Sequence, residues 1–417
     1  MLYYRTVAKK PTQSTRGGVI NVARRVGTIA RGIRAPLAKA GDDVISLVID
    51  SIKRACKDEG FSLRNRDVIG ITESLVARTQ GNYASIYHIA ADISQKTSAE
   101  EIAVLFPIIS RNRFSLILKG IALTGKTIHL FLNYPNDEVG NPVMDRDVLY
   151  DKDINPYTDL LDEKDYRTIP GLAIIHPFTG VDYVELYKSL APKGKVNIYF
   201  SNDPKVALNY SSEILVANIH ERSWTKKILS KAGAKRVLGL DDLLTEPVNG
   251  NGYNPDYGLL GSNMASEDKV KLFPRNCQEI CEKIQSELKN IFGVEVEVMI
   301  YGDGAFKDPK TGIWELADPV VSPGFTKGLT GTPKEIKLKY VIDKELEGSR
   351  SALEESVKER ILKKKELGID TNETLGTTPR MYTDLLGSLC DLTSGSGDKG
   401  TPIVLVQGYF DDYTAEW

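Results

Sequence analysis

Between residues 170 and 245, short apolar runs alternate with helical stretches, and that alternation limits the architecture more than any other feature of the chain. Leu172-Ala-Ile-Ile175, Val196-Asn-Ile-Tyr-Phe200 and Lys235-Arg-Val-Leu-Gly239 read as strands; Tyr183 to Leu190 and Trp224 to Ala232 read as helices. Parallel strands need long crossovers, usually helical, so this order predicts a small parallel α/β unit. No Gly-x-Gly-x-x-Gly follows any of these strands, so nothing there predicts a dinucleotide site. With 417 residues the chain is too long for one ordinary core, and two domains are expected.

The flanking regions read differently. Residues 1–20 look like a flexible basic tail, and Val26 to Ile33 reads as a strand. Asp42 or Asp43 can cap a helix whose apolar positions are Val44, Leu47, Val48 and Ile52. Asp67 to Thr72 reads as a buried strand, and Gly81-Asn82 as a turn. The apolar runs Phe114–Ile121 and Thr127–Leu132, split by Gly125, suggest a hairpin or strand pair. Residues 140–168 are polar and turn-rich. Cys277 to Phe292 is an amphipathic helix, Val294 to Ile300 a strand, residues 334–368 a charged surface helix, and Pro402 to Gln407 a last buried strand.

Charge and cysteine content restrict the function classes. The net charge of −2 gives no reason to expect nucleic acid or a membrane surface as partner. No apolar run approaches the roughly 20 residues that span a bilayer. Four cysteines do not make a disulfide framework, and Cys277 with Cys281 lack the companions of a zinc site, so a reducing, cytoplasmic setting is expected. From Met1 to Gly41 there are nine Lys or Arg and no Asp or Glu. That start reads either as phosphate-binding residues beside a solvated tail or as a transit peptide; a single serine, Ser14, weighs against the transit peptide.

Three segments can carry chemistry. Tyr301-Gly-Asp-Gly-Ala-Phe306 follows a strand, and its glycines let backbone and a metal approach Asp303 closely. Asp308, Glu315 and Asp318 add charge; an ordinary β-turn with a surface aspartate fits the same segment. Thr393-Ser-Gly-Ser-Gly-Asp-Lys-Gly-Thr-Pro402 can form an anion nest with Gly397 and Lys399, or a flexible loop; it is not a Walker motif. Ile71-Thr-Glu-Ser-Leu-Val-Ala-Arg-Thr-Gln-Gly81 offers Arg78 as a fork for phosphate or carboxylate, or simply joins strand to helix. Together they read as a phosphate-handling site with a divalent metal. Of the four histidines (His88, His129, His176 and His220), His129 reads as a core residue and the loop residues His176 and His220 as candidates.

In order along the chain, these segments resemble the coenzyme F420-0:gamma-glutamyl ligase family. Gly32-Ile-Arg-Ala-Pro36 with Gly41-Asp-Asp-Val resembles the family's Gly-Leu-Pro … Gly-Asp-Asp-Leu. Val68-Ile-Gly-Ile … Val-Ala-Arg-Thr-Gln-Gly81 resembles its strand and Ser-Lys-x-x-Gly turn. Gly261-Ser-Asn263, Leu272-Phe-Pro274 and Val298-Met-Ile-Tyr-Gly-Asp303 resemble its Ser-Asn, Leu-Leu-Pro and Ile-Thr-Asp-Thr segments. Gly397-Asp-Lys-Gly-Thr-Pro-Ile-Val-Leu-Val406 resembles its closing strand.

The resemblance implies an α+β or mixed α/β fold. A ligase-like domain, residues 21–110 and 255–417, would be interrupted by an inserted α/β segment over 111–254. It implies a dimeric enzyme joining L-glutamate to a carboxylate of a coenzyme-like acceptor through an acyl phosphate, with GTP and Mg²⁺ or Mn²⁺. The acceptor would be F420-0, a folate-type pterin or another carboxylate. By position, Arg34, Pro36, Leu37, Arg78 and Asn263 would contact nucleotide, as would Gly397 and Lys399, and Asp303 would bind metal. No residue is singled out as the catalytic group. Arg78 stands where the family has Lys, turning a point charge into a fork. Leu260 stands where the family has Asp, and Asp137 is the carboxylate expected to replace it as a metal ligand. Two other readings compete: a non-catalytic nucleotide or metabolite sensor, and a phosphatase or kinase working through the α/β segment.

Overall fold

The computed structural model describes residues 26–169, 175, 180–192, 194–302, 321–333, 335–344, 350–367, 380–394, 397–412 and 414. The expected tail over 1–20 and nearly all of the expected strand Leu172–Ile175 lie outside the described residues. So do Asp303, Asp308, Glu315, Asp318 and His176. The chain forms two compact units, one of Ala30–Pro333 with Thr378–Gln407, the other of Met1–Ile29, Lys334–Thr377 and Gly408–Trp417.

A five-stranded sheet runs in the order Ile29–Ile33, Ile403–Gln407, Val68–Thr72, Glu297–Gly302, Val321–Phe325. Val68–Thr72 and Glu297–Gly302 are parallel neighbours; Ile403–Gln407 and Val321–Phe325 flank them antiparallel. Alternation decides the two faces. Ile69, Ile71, Val298, Ile300, Ile403 and Leu405 share a core with the helices Val44–Glu59 and Cys277–Phe292. Gly70 points the other way, where an added Cβ would lie 2.5 Å from Cys390 Sγ on the helix Tyr382–Ser394, so only glycine lets this helix so close.

Local signals set the two core helices. Asp43 Oδ1 accepts the Ile45 N–H at 3.0 Å, the apolar positions Val44, Val48, Ile49 and Ile52 face inward, and Gly60 closes the helix at φ +68°. Gly293 closes Cys277–Phe292 in the same left-handed conformation.

A small antiparallel sheet joins Asn263–Ser266, Lys269–Lys271 and Tyr83–Ser85. The third sheet has six strands, ordered Leu161–Asp162, Val196–Phe200, Thr127–Leu132, Glu101–Leu105, Glu213–Val216, Arg236–Gly239. All neighbours are parallel except the antiparallel edge strand Leu161–Asp162. This is the expected parallel α/β unit, but its first strand is Glu101–Leu105, upstream of residue 111.

The expected hairpin over 114–132 is not formed. Phe114–Ala122 is a helix, and Thr127–Leu132 lies parallel to Glu101–Leu105. Eight of its nine residues are buried and only Ser115 and Lys119, four apart, are polar, and so short an apolar run fits a strand or a helix alike in sequence. Gly120 seats this helix on Ile86–Lys96, where an added Cβ would come within 2.6 Å of Ile89 Cγ2. Within 140–168, Asp145 and Asp162 cap two short helices, Arg146–Asp151 and Glu163–Thr168.

The other unit holds the charged helices expected near 334–368, Leu338–Lys344 and Arg350–Leu367, with Val341, Val357 and Ile361 in a small apolar cluster. No helix among the described residues is long and apolar enough to cross a membrane.

Candidate active site

The parallel strands Val68–Thr72 and Glu297–Gly302 end together, with Thr72 paired to Tyr301. The chain enters the antiparallel strand beside them at Pro402, whose carbonyl accepts the Thr72 N–H at 2.9 Å. A cleft of about 450 Å³ opens at this edge. Its wall includes Pro36 and Leu37, the start of the helix Glu73–Thr79 with Arg78, Asn263, Lys271, Asp391 and Thr401.

Short bonds fix the loops around it. The Ala35 N–H donates to the Gly400 carbonyl at 3.1 Å, holding the 35–37 segment against the loop before Pro402. Thr72 Oγ1 caps the helix Glu73–Thr79 through the Leu75 N–H. Thr401 Oγ1 donates to the Ser394 carbonyl at 2.9 Å, and Tyr301 Oη donates to the Cys390 carbonyl at 3.3 Å. Burial pushes the Tyr301 phenol far up, so it stays protonated and acts as a donor.

The charged pair Lys271 and Glu73 lies in the wall, Nζ against Oε1, with side chains only 7% and 4% exposed. Burying two charges costs desolvation that an apolar pair avoids, so such a pair at a cleft marks a candidate site. Gly302 makes room for it: an added Cβ would lie 2.2 Å from Glu73 Cγ. Lys271 and Asn263 are cross-strand partners in the small sheet, which places ammonium and amide side by side. A contiguous groove along that sheet is lined by Arg78, Lys269, Lys271 and Asn263.

Four of the expected nucleotide contacts, Pro36, Leu37, Arg78 and Asn263, meet in this one cleft. Arg34 and Lys399 line a neighbouring cleft with Arg31 and Arg54, and the two clefts share Pro36 and Thr401. Arg31 is tied down, donating to Gln407 Oε1 at 2.6 Å and lying 4.9 Å over the Phe61 ring. Gly397 begins a single 3-10 turn that ends at Lys399. Gly302, the residue before Asp303, lines the first cleft.

Asp137 does not join these residues. It lines a different cleft, at the six-stranded sheet. Its carboxylate accepts the N–H groups of Ile109, Val139 and Asn141 and the Asn141 side-chain amide, at 2.8–3.2 Å, and so pins its own loop. Burial pushes its carboxyl up, opposed by those bonds. Leu260 is buried in the core that packs on the six-stranded sheet. Among the described residues no group of three or more His, Cys, Asp and Glu side chains is placed to hold a metal ion.

Sequence reading passed over Glu73, Lys271 and Asp391. A usable signal existed for one: Lys271 interrupts the apolar run from Val270 to Phe273. His129 is a core residue as expected, packed on Tyr199 and Tyr210. His88 completes the cap of its own helix, its Nδ1 accepting the Ser85 N–H at 3.1 Å. Cys277 and Cys281 are buried and free; burial first, and then the Glu73 charge, pushes the Cys277 thiol up to about 12, which leaves it inert at neutral pH.

Residues 32–408 match the family described as F420-0:Gamma-glutamyl ligase. A search of curated proteins found no match to the chain.

Proposed function

The chain belongs to the F420-0:gamma-glutamyl ligase family, and from that premise we propose that it is a GTP-dependent ligase joining L-glutamate to an acceptor carboxylate. The observation that carries this reading is the convergence of Arg78, Lys271 and Asn263 on one cleft at the carboxyl ends of two parallel strands. Arg78 offers a bidentate fork and Lys271 a point charge, the pair of donors that a triphosphate requires. In the proposed first step, an acceptor carboxylate oxygen attacks the γ-phosphorus and GDP leaves, giving an acyl phosphate. The glutamate amine then attacks the acyl carbon, phosphate leaves, and the amine loses a proton as the amide forms. Arg78 and Lys271 would orient the phosphates and offset charge as the bond to GDP breaks.

A divalent cation belongs to the same proposal. Asp391 and Glu73 line the cleft with oxygen donors, the type that suits Mg²⁺ or Mn²⁺, and Asp303 follows directly on Gly302. When bound, such an ion would neutralise phosphate charge. The acceptor would be F420-0, a folate-type pterin or another coenzyme-like carboxylate, and the working form a cytoplasmic homodimer.

Hydroxylamine trapping tests the chemistry. With GTP, Mg²⁺ and the true acceptor but no glutamate, hydroxylamine should yield the acceptor hydroxamate. GTP consumed without hydroxamate across the acceptor panel would contradict an acyl phosphate. The buried, apolar Leu260 favours one competing reading, a non-catalytic sensor. A sensor would bind GTP and turn over nothing.

A further inference from the structure

The six-stranded sheet carries a second cleft, of about 410 Å³, at the place where its chain order reverses. From Glu101–Leu105 the chain steps one way, to Thr127–Leu132 and Val196–Phe200; it then crosses back to Glu213–Val216 and Arg236–Gly239 on the other side. Loops leaving neighbouring strands in opposite directions open a crevice at the carboxyl edge, the usual ligand position in such sheets. Four strands each deliver a residue to this cleft within two positions of their ends: Phe106, Asn133, Asn202 and Asn218.

The lining is unsuited to phosphate. The helix Arg222–Lys231 starts at the cleft, where backbone amides would receive an anion. Glu138 stands just before that position, accepting the N–H groups of Ile219 and His220, so a carboxylate already lies at the approach to the helix. Asp137, Glu138 and Glu221 line the cleft, and among the described residues no Lys, Arg or His does. Of the nearby cations, Arg222 and Lys226 are drawn away to Asp241 and Asp242, and Lys227, on the Trp224 ring, counts against the three carboxylates. The field in the cleft therefore favours a positive guest.

A second observation points to a ligand. Asn218 lines the cleft and is 3% exposed. Its Nδ2 donates to Thr225 Oγ1 at 3.1 Å, but its Oδ1, buried, meets no donor. A buried carbonyl oxygen without a donor is unusual and costly. Trp224, 58% exposed, adds an aromatic wall, and Lys227 already sets its ammonium 5.7 Å from the centre of that ring.

We propose that this cleft is a binding site for a small organic ammonium, a primary amine whose N–H reaches Asn218 Oδ1 under the field of Glu221, Glu138 and Asp137. This site is separate from the proposed ligase cleft, and its test does not depend on turnover.

Isothermal titration of the full chain with putrescine, agmatine and phenethylamine, against L-glutamate, inorganic phosphate and Mn²⁺, decides the matter. At least one amine should bind saturably, and any binding of L-glutamate, inorganic phosphate or Mn²⁺, which the proposed ligase cleft would take, should be indifferent to changes at this cleft. Asn218→Leu should weaken that binding about tenfold or more. Because Asn218 is buried, Trp224→Ala and Glu221→Gln, on exposed positions, serve as the second and third variants; each should weaken amine binding with the melting temperature unchanged. Absence of saturable binding by every amine would overturn the proposal. So would amine binding that none of the three variants weakens, or binding of either anion or of Mn²⁺ that these variants do weaken.

Discussion

Lys271 and Glu73, 198 positions apart in the chain, meet as a buried ion pair in the wall of the cleft. Removing one partner strands a charge away from water. Lys271→Met should therefore lower stability by about 3–5 kcal/mol. The double variant Lys271→Met, Glu73→Gln should recover much of that loss in urea unfolding, because no bare charge remains. GTP turnover should stay lost in both. Full turnover in the double variant would make the pair a packing feature only.

Arg78 is exposed on the helix that borders both the cleft and the groove beside it. Arg78→Ala should leave the melting temperature unchanged and raise KM for GTP about tenfold to a hundredfold, the size of a lost charge-assisted bond. Arg78→Lys should restore part of the affinity, since it keeps the charge and loses the fork. Steady-state kinetics on the two variants checks this.

Gly120 tests the helix that replaced the expected hairpin. Gly120→Ala places a methyl group within 2.6 Å of Ile89 Cγ2 and should destabilise the protein by about 1–3 kcal/mol through overpacking. Pairing it with Ile89→Ala should relieve part of the strain. Denaturant unfolding of the single and double variants reads the coupling.

The cap at Asp43 gives a pH dependence of known sign. The hydrogen bond from Ser46, opposed by slight burial and helped by the Ile45 and Ser46 amides, lowers the Asp43 pKa. A carboxylate with a depressed folded-state pKa stabilises above its unfolded value and loses that contribution as pH falls through the folded value. Asp43→Ala should cost about 1 kcal/mol at pH 7. The gap to the unaltered protein should close as pH drops below the ordinary aspartate range. Thermal melts at both pH values measure it.

Sequence reading succeeded where local chemistry sets the structure. The cap at Asp42 or Asp43 and the spacing of Val44, Leu47, Val48 and Ile52 located one core helix, and the amphipathic pattern of Cys277 to Phe292 located another. It failed at Phe114–Ala122, a short and nearly all apolar run with only Ser115 and Lys119 to show its period. The clustering of Pro36, Leu37, Arg78 and Asn263 was legible because ordered motifs carried it. The Lys271–Glu73 pair was not, since no local pattern announces a contact across 198 positions. Asp137 was misplaced for the opposite reason: an acidic loop residue looks the same in sequence whether it serves a metal or its own backbone.

The most direct test is phosphate release from GTP and ATP with Mg²⁺ or Mn²⁺, with and without L-glutamate, across a panel of carboxylate acceptors that includes F420-0 and folates. The account predicts release from GTP that requires both glutamate and one acceptor, and that disappears in Lys271→Met and Asp303→Ala. GTP binding without release for any acceptor, or release indifferent to glutamate, would contradict it.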